Sequence, residues 1–261
     1  MQVSLSQEPK IVIVMPVYNE ADTIRTTLTE AYEKIAGGRD GVSFIICEDG
    51  STDGTKDALL ALASEMPCLR VSLSPTRKGY PGAARDVILA PDGGAEYLLF
   101  MDSDGQYDPA DFQALWNSLE SSSSDIIVGS RVKRAEPLLR IFLSKGLRII
   151  ERALFQVGFQ DVTSAFRLMR REVAQDVARM VRYSRYNFWL EFTALASLHG
   201  YKTSEVPVAY RARHGKSRVY DGSRIFKATI LELMTVIRIW LNFYLRRRTR
   251  DQQKWSTHRT L

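Results

Sequence analysis

Three short apolar runs, each ending on a cluster of polar or acidic residues, constrain this 261-residue chain more than any other feature. Ile11–Met15 stops at Pro16, Val42–Cys47 runs into Glu48-Asp49-Gly50, and Tyr97–Met101 runs into Asp102-Ser103-Asp104. Runs this short, and apolar at successive positions, suit strands buried on both faces of a parallel sheet. Helical periodicity fills the gaps: Asp22–Ile35 closed by Gly37 and Gly38, Lys56–Ser64, and Pro81–Leu89. Leu69–Leu73 and Asp125–Val128 read as further strands, with a helix over Pro109–Leu119 between the fourth and fifth strands. The alternation predicts an α/β chain: a Rossmann-like, mostly parallel open sheet flanked by helices, with ligands at the carboxyl ends of the strands.

Past Arg131 the pattern loosens. Leu138–Val157 reads as a basic amphipathic helix, Glu172–Met180 and Phe188–His199 as helices, Val206–Ala209 as a short strand, and Ser223–Leu245 as a long closing helix. The expected organisation is one catalytic domain over residues 1–222, with an amphipathic helix and basic tail over 223–261.

The polar clusters fall where such a sheet binds ligands. Pro16-Val17-Tyr18-Asn19-Glu20 makes a rim at the end of the first strand on which a base or ribose could rest. It also reads as a plain strand-to-helix loop, with Asn19 or Asp22 capping the helix. Glu48-Asp49-Gly50-Ser51-Thr52-Asp53-Gly54-Thr55 suits a tight turn that hydrogen-bonds a nucleoside, and equally a helix start with Ser51 or Asp53 as its cap. Asp49 is the expected nucleotide contact there and Asp53 the structural residue. Asp102 and Asp104, at i and i+2, bring hard oxygens together, which suits Mg²⁺ or Mn²⁺ bridging a diphosphate. The competing reading is a solvated acidic turn; Asp108 is already placed to cap the helix at Pro109, which leaves Asp102 and Asp104 for other work.

Charge and cysteine content narrow the setting. The formal charge of +6 suits phosphate-rich partners. A nucleic-acid binder is disfavoured, because aromatic and basic residues do not interleave and the Asp102/Asp104 turn would repel a phosphate backbone. Cys47 and Cys68 form no metal-type cluster and point to a reducing compartment, Cys47 as a core residue. Met1–Lys10 is polar and Ile11–Met15 is too short for a signal sequence, so a cytoplasmic protein is expected.

PVYNE, EDGSTDGT and DSDGQ, in this order and each after a strand, resemble glycosyltransferase family 2 with its GT-A fold. Gly129-Ser130-Arg131 is similar to that family's GxR. Asp161-Val162-Thr163-Ser164-Ala165-Phe166-Arg167 resembles the D-x-T-x-x-F-R segment of dolichyl-phosphate mannosyltransferases and their polyprenyl-phosphate relatives, and Gly215-Lys216-Ser217-Arg218 their G-x-S-K. The resemblance spans about Ile11–Arg218 and departs at Glu48, Asp86, Ala165 and Arg218.

The resemblance implies an inverting, metal-dependent hexosyltransferase that takes mannose or glucose from a GDP- or UDP-sugar to polyprenyl or dolichyl phosphate. Pro16, Tyr18, Glu20 and Asp49 would line the nucleotide. Asp102, Ser103, Asp104 and Gln106 would meet the donor phosphates, and Asp102, Asp104 and Gln106 the metal, with Arg131 nearby. Arg213 would close over the diphosphate, with Arg211 as the other register of that arginine-rich stretch. Arg140 and Ser144, on one face of a helix at i, i+4 spacing, would grip the acceptor phosphate. Asp104, Arg131 and Asp161 are the catalytic candidates. Asp161 is the first choice of base if the acceptor is a sugar hydroxyl, with orientation of Arg167 or of the metal loop as its other reading. An acceptor that is a glycan rather than a lipid phosphate is the alternative within the same family.

Lys227, Glu232 and Arg238 interrupt the closing helix and argue against a membrane span. Its apolar side chains, Tyr244, and Arg246-Arg247-Arg248-Thr249-Arg250 read as a peripheral anchor on the cytoplasmic face of a membrane. A core helix, or a surface for a membrane-protein partner, is the other reading.

Overall fold

The most apolar run becomes the central strand, β1 (Ile11–Val17), with every residue buried. Each of its aliphatic side chains contributes about 1.5–3 kcal/mol by leaving water. β2 (Val42–Glu48) pairs with β1 in parallel from Ile11↔Val42 to Val17↔Glu48. β3 (Leu69–Leu73) lies outside β2, and β4 (Tyr97–Phe100) flanks β1 on the other side, with Val14 opposite Phe100. The registers bring the ends of β1, β2 and β4 to one level, so the three polar clusters emerge on the same edge.

The structure is a computed structural model that describes residues 10–37, 39–91, 94–132, 146, 149–150, 152–155, 157–158, 160–185, 187–212 and 230–245. Its single sheet has the order β3-β2-β1-β4-β6-β5-β7, completed by β5 (Ile126–Arg131), β6 (Arg167–Arg170) and β7 (Thr203–Val208). The mostly parallel α/β sheet is the predicted one, and the strands expected in the first 130 residues all form. Two features differ from expectation. β7 begins earlier than the predicted Val206 and runs parallel to β5. β6 was not expected as a strand, and it inserts antiparallel between β4 and β5. Because β6 runs backwards, Arg167 lies beside Phe100 and Val128, and residues 161–166 enter the sheet at the edge where the parallel strands leave it.

Helices cover both faces: α1 (Ile24–Ala31), α2 (Thr55–Glu65), α3 (Tyr80–Leu89), α4 (Phe112–Ser121), α5 (Arg171–Met180), α6 (Phe188–Leu198) and α7 (residues 230–245). α1 passes into a π-helical turn, Tyr32–Ala36, before Gly37 ends it. A 3₁₀ turn, Pro109–Asp111, precedes α4, and the Asp108 carboxylate caps it by accepting from Ala110 N at 2.9 Å, as expected. α6 is apolar nearly all round and is buried accordingly. Its fully buried Glu191 accepts from the backbone N–H groups of Arg182, Tyr183 and Ser184 at 2.8, 2.8 and 2.6 Å, which closes the preceding turn and gives both carboxylate oxygens hydrogen-bond donors. Arg140, Ser144, Arg213, Gly215–Arg218 and Arg246–Arg250 lie outside the described residues, as does most of the expected Leu138–Val157 helix.

Candidate active site

The loops after β1 and β2 are stitched together. Asn19 takes a left-handed conformation (φ 52°), its N–H donates to Ser51 Oγ at 2.8 Å, and its Oδ1 accepts from Thr52 N at 2.8 Å. Asn19 and Asp22 therefore do not cap α1, whose N-cap is Thr23. Glu20 N donates to Thr55 Oγ1 at 2.9 Å, and the Glu20 carboxylate accepts from Thr23 Oγ1 at 2.9 Å. Asp53 accepts from Thr55 N at 3.0 Å, the structural role expected of it. Glu48, almost wholly buried, accepts from Ser51 N.

Asp49 ties this rim to the loop after β3. Its two carboxylate oxygens accept from Lys78 N at 2.7 Å and Gly79 N at 2.8 Å. Gly50 has φ +71°, and a Cβ there would sit 2.9 Å from Arg77 N, so glycine is required on both counts. The close approach sets the Arg77 guanidinium 3.9 Å from the centre of the Tyr18 ring. Cys47 is half-buried beside this loop, packed against the edge of the core rather than within it, and burial pushes its thiol up to about 11.

The third cluster closes the rim. Buried Ser103 donates to Pro16 O at 3.1 Å, which locks the ends of β1 and β4 together. Asp104 Oδ1 accepts from Gln106 N at 3.2 Å. Asp102 Oδ1 accepts from the Tyr80 hydroxyl at 2.9 Å, and that hydroxyl accepts in turn from Trp189 Nε1 at 2.9 Å. Burial and the neighbouring Asp102 raise the Tyr80 pKa well above its ordinary value, so the phenol stays protonated and donates. Trp189 also stacks on the buried Arg167 guanidinium at 4.3 Å, which lies 5.7 Å from the Phe192 ring and donates to the carbonyls of Ser164 and Val162, both at 2.8 Å. Burial lowers the Arg167 pKa to about 9.

Gln106 is placed otherwise than a metal ligand would be. Its Oε1 accepts from the Tyr210 hydroxyl at 2.9 Å, and its Nε2 donates to Arg211 O at 3.1 Å. Arg211 N donates back to Gln106 O at 2.8 Å, so the chain after β7 is sewn to the acidic loop. The Arg211 side chain reaches Glu30 through two hydrogen bonds of 2.8 Å and Asp108 at 2.7 Å, and Lys34 bridges the same two acids. Hydrogen bonds from Arg211 hold Glu30 down at about 2; burial opposes the charge on Asp108, but Lys34, Ala110 N and Arg211 hold it at about 2 as well. Arg211 is thus committed to an ion-pair network.

Arg131, at the end of β5, is brought onto Asp161. Arg131 Nε and Nη2 donate to Asp161 Oδ2 and Oδ1, each at 2.8 Å, Arg131 N donates to Oδ2 at 3.1 Å, and Nη2 also reaches Thr163 Oγ1 at 2.9 Å. Asp161 therefore orients Arg131 rather than Arg167. Gly129 is needed because a Cβ there would meet Phe166 Cδ1 at 2.9 Å and Val208 at 3.1 Å. Beneath, Ser164 Oγ donates to Gly129 O at 2.5 Å and so accepts from the Tyr107 hydroxyl at 3.1 Å.

The geometry gathers Pro16, Tyr18, Glu20, Asp49, Asp102, Ser103, Asp104 and Gln106 on one edge, with the Arg131–Asp161 pair entering from β5 and the segment before β6. Tyr80, Trp189, Tyr107 and Tyr210, which support these residues, carry no local signal in the sequence. A GT-A glycosyltransferase is the class such an edge defines. The chain belongs to glycosyl transferase family 2, whose model matches residues 12–178. It is similar to the dolichyl-phosphate hexose transferase of Haloferax volcanii, 28% identical over 219 residues, which are 80% of this chain and 86% of that protein. It is likewise 28% identical over 229 residues to the polyprenol monophosphomannose synthase of Mycolicibacterium smegmatis, over 84% of each chain. The fold matches that of mannosyltransferase PcManGT from Pyrobaculum calidifontis, solved in complex with GDP-Man and Mn²⁺, with a TM-score of 0.61 and 21% identity. That match covers 88% of this chain and 64% of the solved one.

Proposed function

We propose that this glycosyltransferase moves mannose or glucose from a GDP- or UDP-sugar to polyprenyl or dolichyl phosphate, with inversion, peripherally on the cytoplasmic face of a membrane. Residues 1–222 would form the catalytic domain, and 223–261 the helix and tail that meet the membrane or a membrane-protein partner. The observation that carries the reading is the engagement of Asp161. Both of its oxygens accept from the Arg131 guanidinium, so it is poorly placed to take a proton from a sugar hydroxyl. A phosphate monoester needs no such base, since its second pKa of about 6 leaves it largely dianionic at neutral pH. The names of the two relatives support the same acceptor class.

In this reading an acceptor phosphate oxygen bonds to the anomeric carbon as the bond to the nucleotide diphosphate breaks on the opposite face. Tyr18, Pro16 and the Asp49 turn hold the nucleoside, and Arg131 faces the diphosphate. Arg140 and Ser144 would grip the acceptor phosphate, and Arg213 would cover the donor. The side chains fit a divalent metal. Asp102 and Asp104 supply hard oxygens from one turn, and the Tyr80 hydrogen bond fixes the rotamer of Asp102. Among the described residues no group of three or more acidic, histidine or cysteine side chains gathers, so the remaining positions would fall to the diphosphate and water. When bound, Mg²⁺ or Mn²⁺ neutralises charge on the departing diphosphate.

The test is a panel of radiolabelled nucleotide-sugars incubated with the protein and polyprenyl phosphate in detergent. Label is expected in the organic phase, and Asp104→Ala should abolish Mn²⁺-dependent binding of the donor nucleotide. Label found only in water-soluble glycan would reject the lipid acceptor, and unchanged nucleotide affinity in Asp104→Ala would reject the metal assignment.

A further inference from the structure

Helix α7 wears its apolar face outward. Its exposed residues are Ile230, Met234, Ile237, Leu241, Tyr244 and Leu245, with Arg238 as the one charged member of the set. Ile230, Met234 and Leu245 are 58%, 55% and 58% exposed, and they share one face with the others. Its inner side is apolar too: Val236 and Ile239 are buried, and Leu233 and Trp240 pack on the core. Phe243 meets His199 at the end of α6, and the Arg238 guanidinium lies 6.0 Å from the Tyr183 ring. Thr235 and Asn242 lie between the two faces and bond within the helix: Thr235 Oγ1 donates to Leu231 O at 2.8 Å, and Asn242 Nδ2 to Arg238 O at 2.9 Å. Glu232 is half-buried on the inner side, beside Tyr183, Ser184 and Arg185. A helix lying on a globular core in water has the reverse pattern, with charge outside.

Ile230, Met234, Ile237, Leu241 and Tyr244 recur at alternating steps of four and three, with Leu245 beside the last, which makes one stripe along about 21 Å of helix. Six side chains roughly half exposed expose on the order of 500 Å² of apolar surface, the size of the largest patch on a typical soluble monomer, which is often functional. Among the described residues no helix is long and apolar enough to cross a membrane, so this stripe would lie along a surface.

Charge selects the occupant. In the sequence, Arg224 and Lys227 precede the helix, and Arg246, Arg247, Arg248 and Arg250 follow it. A second copy of the chain packed on the stripe would meet like charge in either orientation: arginine cluster on arginine cluster if parallel, and cluster on Arg224 and Lys227 if antiparallel. An anionic lipid surface accepts the stripe and compensates both basic ends at once. We infer that the outer face of residues 230–245 docks on an anionic bilayer, with the apolar stripe among the acyl chains and the flanking basic residues at the headgroups. This deepens the proposed function, and rests on it only in that a lipid-phosphate acceptor gives the enzyme reason to be there.

The test is co-sedimentation of the full chain with phosphatidylcholine vesicles, and with phosphatidylcholine vesicles containing phosphatidylglycerol. Wild type is expected to pellet with the anionic vesicles, less so in high salt. The triple variant Met234→Glu, Ile237→Glu, Leu241→Glu should lose about tenfold or more in affinity. Ile237→Glu alone should lose part of it, and Met234→Leu, Ile237→Leu, Leu241→Met should keep it. All these positions are exposed, so melting temperature and affinity for GDP or UDP with Mn²⁺ should not move. Equal pelleting of wild type and both glutamate variants would overturn the inference. So would a wild type that ignores vesicles but elutes as a dimer which the triple variant dissociates, because the face would then belong to a second copy. A protein that docks on vesicles yet labels no lipid phosphate in detergent would refute the proposed acceptor and leave the docking surface standing.

Discussion

Replacing Asp161 by asparagine separates a structural carboxylate from a catalytic base. The side chain of Asp161 is 6% exposed and that of Arg131 12%, and they meet through two parallel hydrogen bonds of 2.8 Å. Asparagine keeps the shape and one acceptor, but turns an N–H₂ group toward the guanidinium and leaves a buried cation without its counter-charge. Breaking one side of a buried pair in this way costs about 3–5 kcal/mol. For a chain of this size each kcal/mol moves the melting temperature by about 2–4 °C, so Asp161→Asn should melt roughly 6–20 °C below wild type. Arg131→Met should be destabilised for the mirror-image reason. The double variant should recover a coupling of up to about 3 kcal/mol, because two neutral side chains leave no charge stranded.

Thermal melts of the four proteins supply the cycle, and the pH dependence of kcat/KM supplies the control. A general base contributes about 10²–10⁴ to the rate, and its loss removes one limb of the pH profile. Asp161→Asn is expected to lower activity through displacement of Arg131, and to leave the shape of the profile as it was. A variant that melts with wild type, loses activity by three orders of magnitude and loses a pH limb would refute the reasoning. Asp161 would then be the base, and a hydroxyl-bearing acceptor would return as the better reading.

Two further predictions concern the supports of the acidic loop. Tyr80→Phe removes the donor to Asp102 and the acceptor for Trp189 Nε1; it should cost about 1–3 kcal/mol in stability and weaken Mn²⁺-dependent nucleotide binding several-fold, as read by calorimetry. Unchanged nucleotide affinity would show that the hydroxyl does not position Asp102. Glu30 sits at about 2 when folded, against an ordinary value of 4.5, so its share of stability is present above about pH 4.5 and is lost as pH falls toward 2. Glu30→Gln should therefore flatten the acid limb of melting temperature against pH, less so in high salt because the network is partly exposed; parallel curves for variant and wild type would remove Glu30 from that limb.

What the sequence reveals of this molecule depends on how far away each residue's partner lies. β1, β2 and β4 are legible because burial on both faces makes them apolar at nearly every position, and their ends are legible because acids and glycines follow directly. β6 hides for the opposite reason. Arg167-Leu168-Met169-Arg170 has a charge at each end, and nothing local announces that Arg167 is buried on Trp189 and bonded to the carbonyls of Ser164 and Val162. Missing that strand conceals how the Asp161 segment reaches the active edge, since the reversal of β6 is what carries it there. Gln106 shows the same limit at a single residue. Its place after Asp102 and Asp104 suggests a ligand, yet its amide is occupied by Tyr210 and Arg211, more than a hundred positions along the chain. Arg211 resembles a phosphate clamp until Glu30 and Asp108 engage its guanidinium. A motif marks which loop will carry chemistry; which side chains within it are left to carry that chemistry is decided by hydrogen bonds made across the fold. The Arg131–Asp161 pair is the case with the largest consequence, because the GxR and D-x-T segments each suggest a catalytic residue, and joined they leave an oriented cation and a carboxylate already in use.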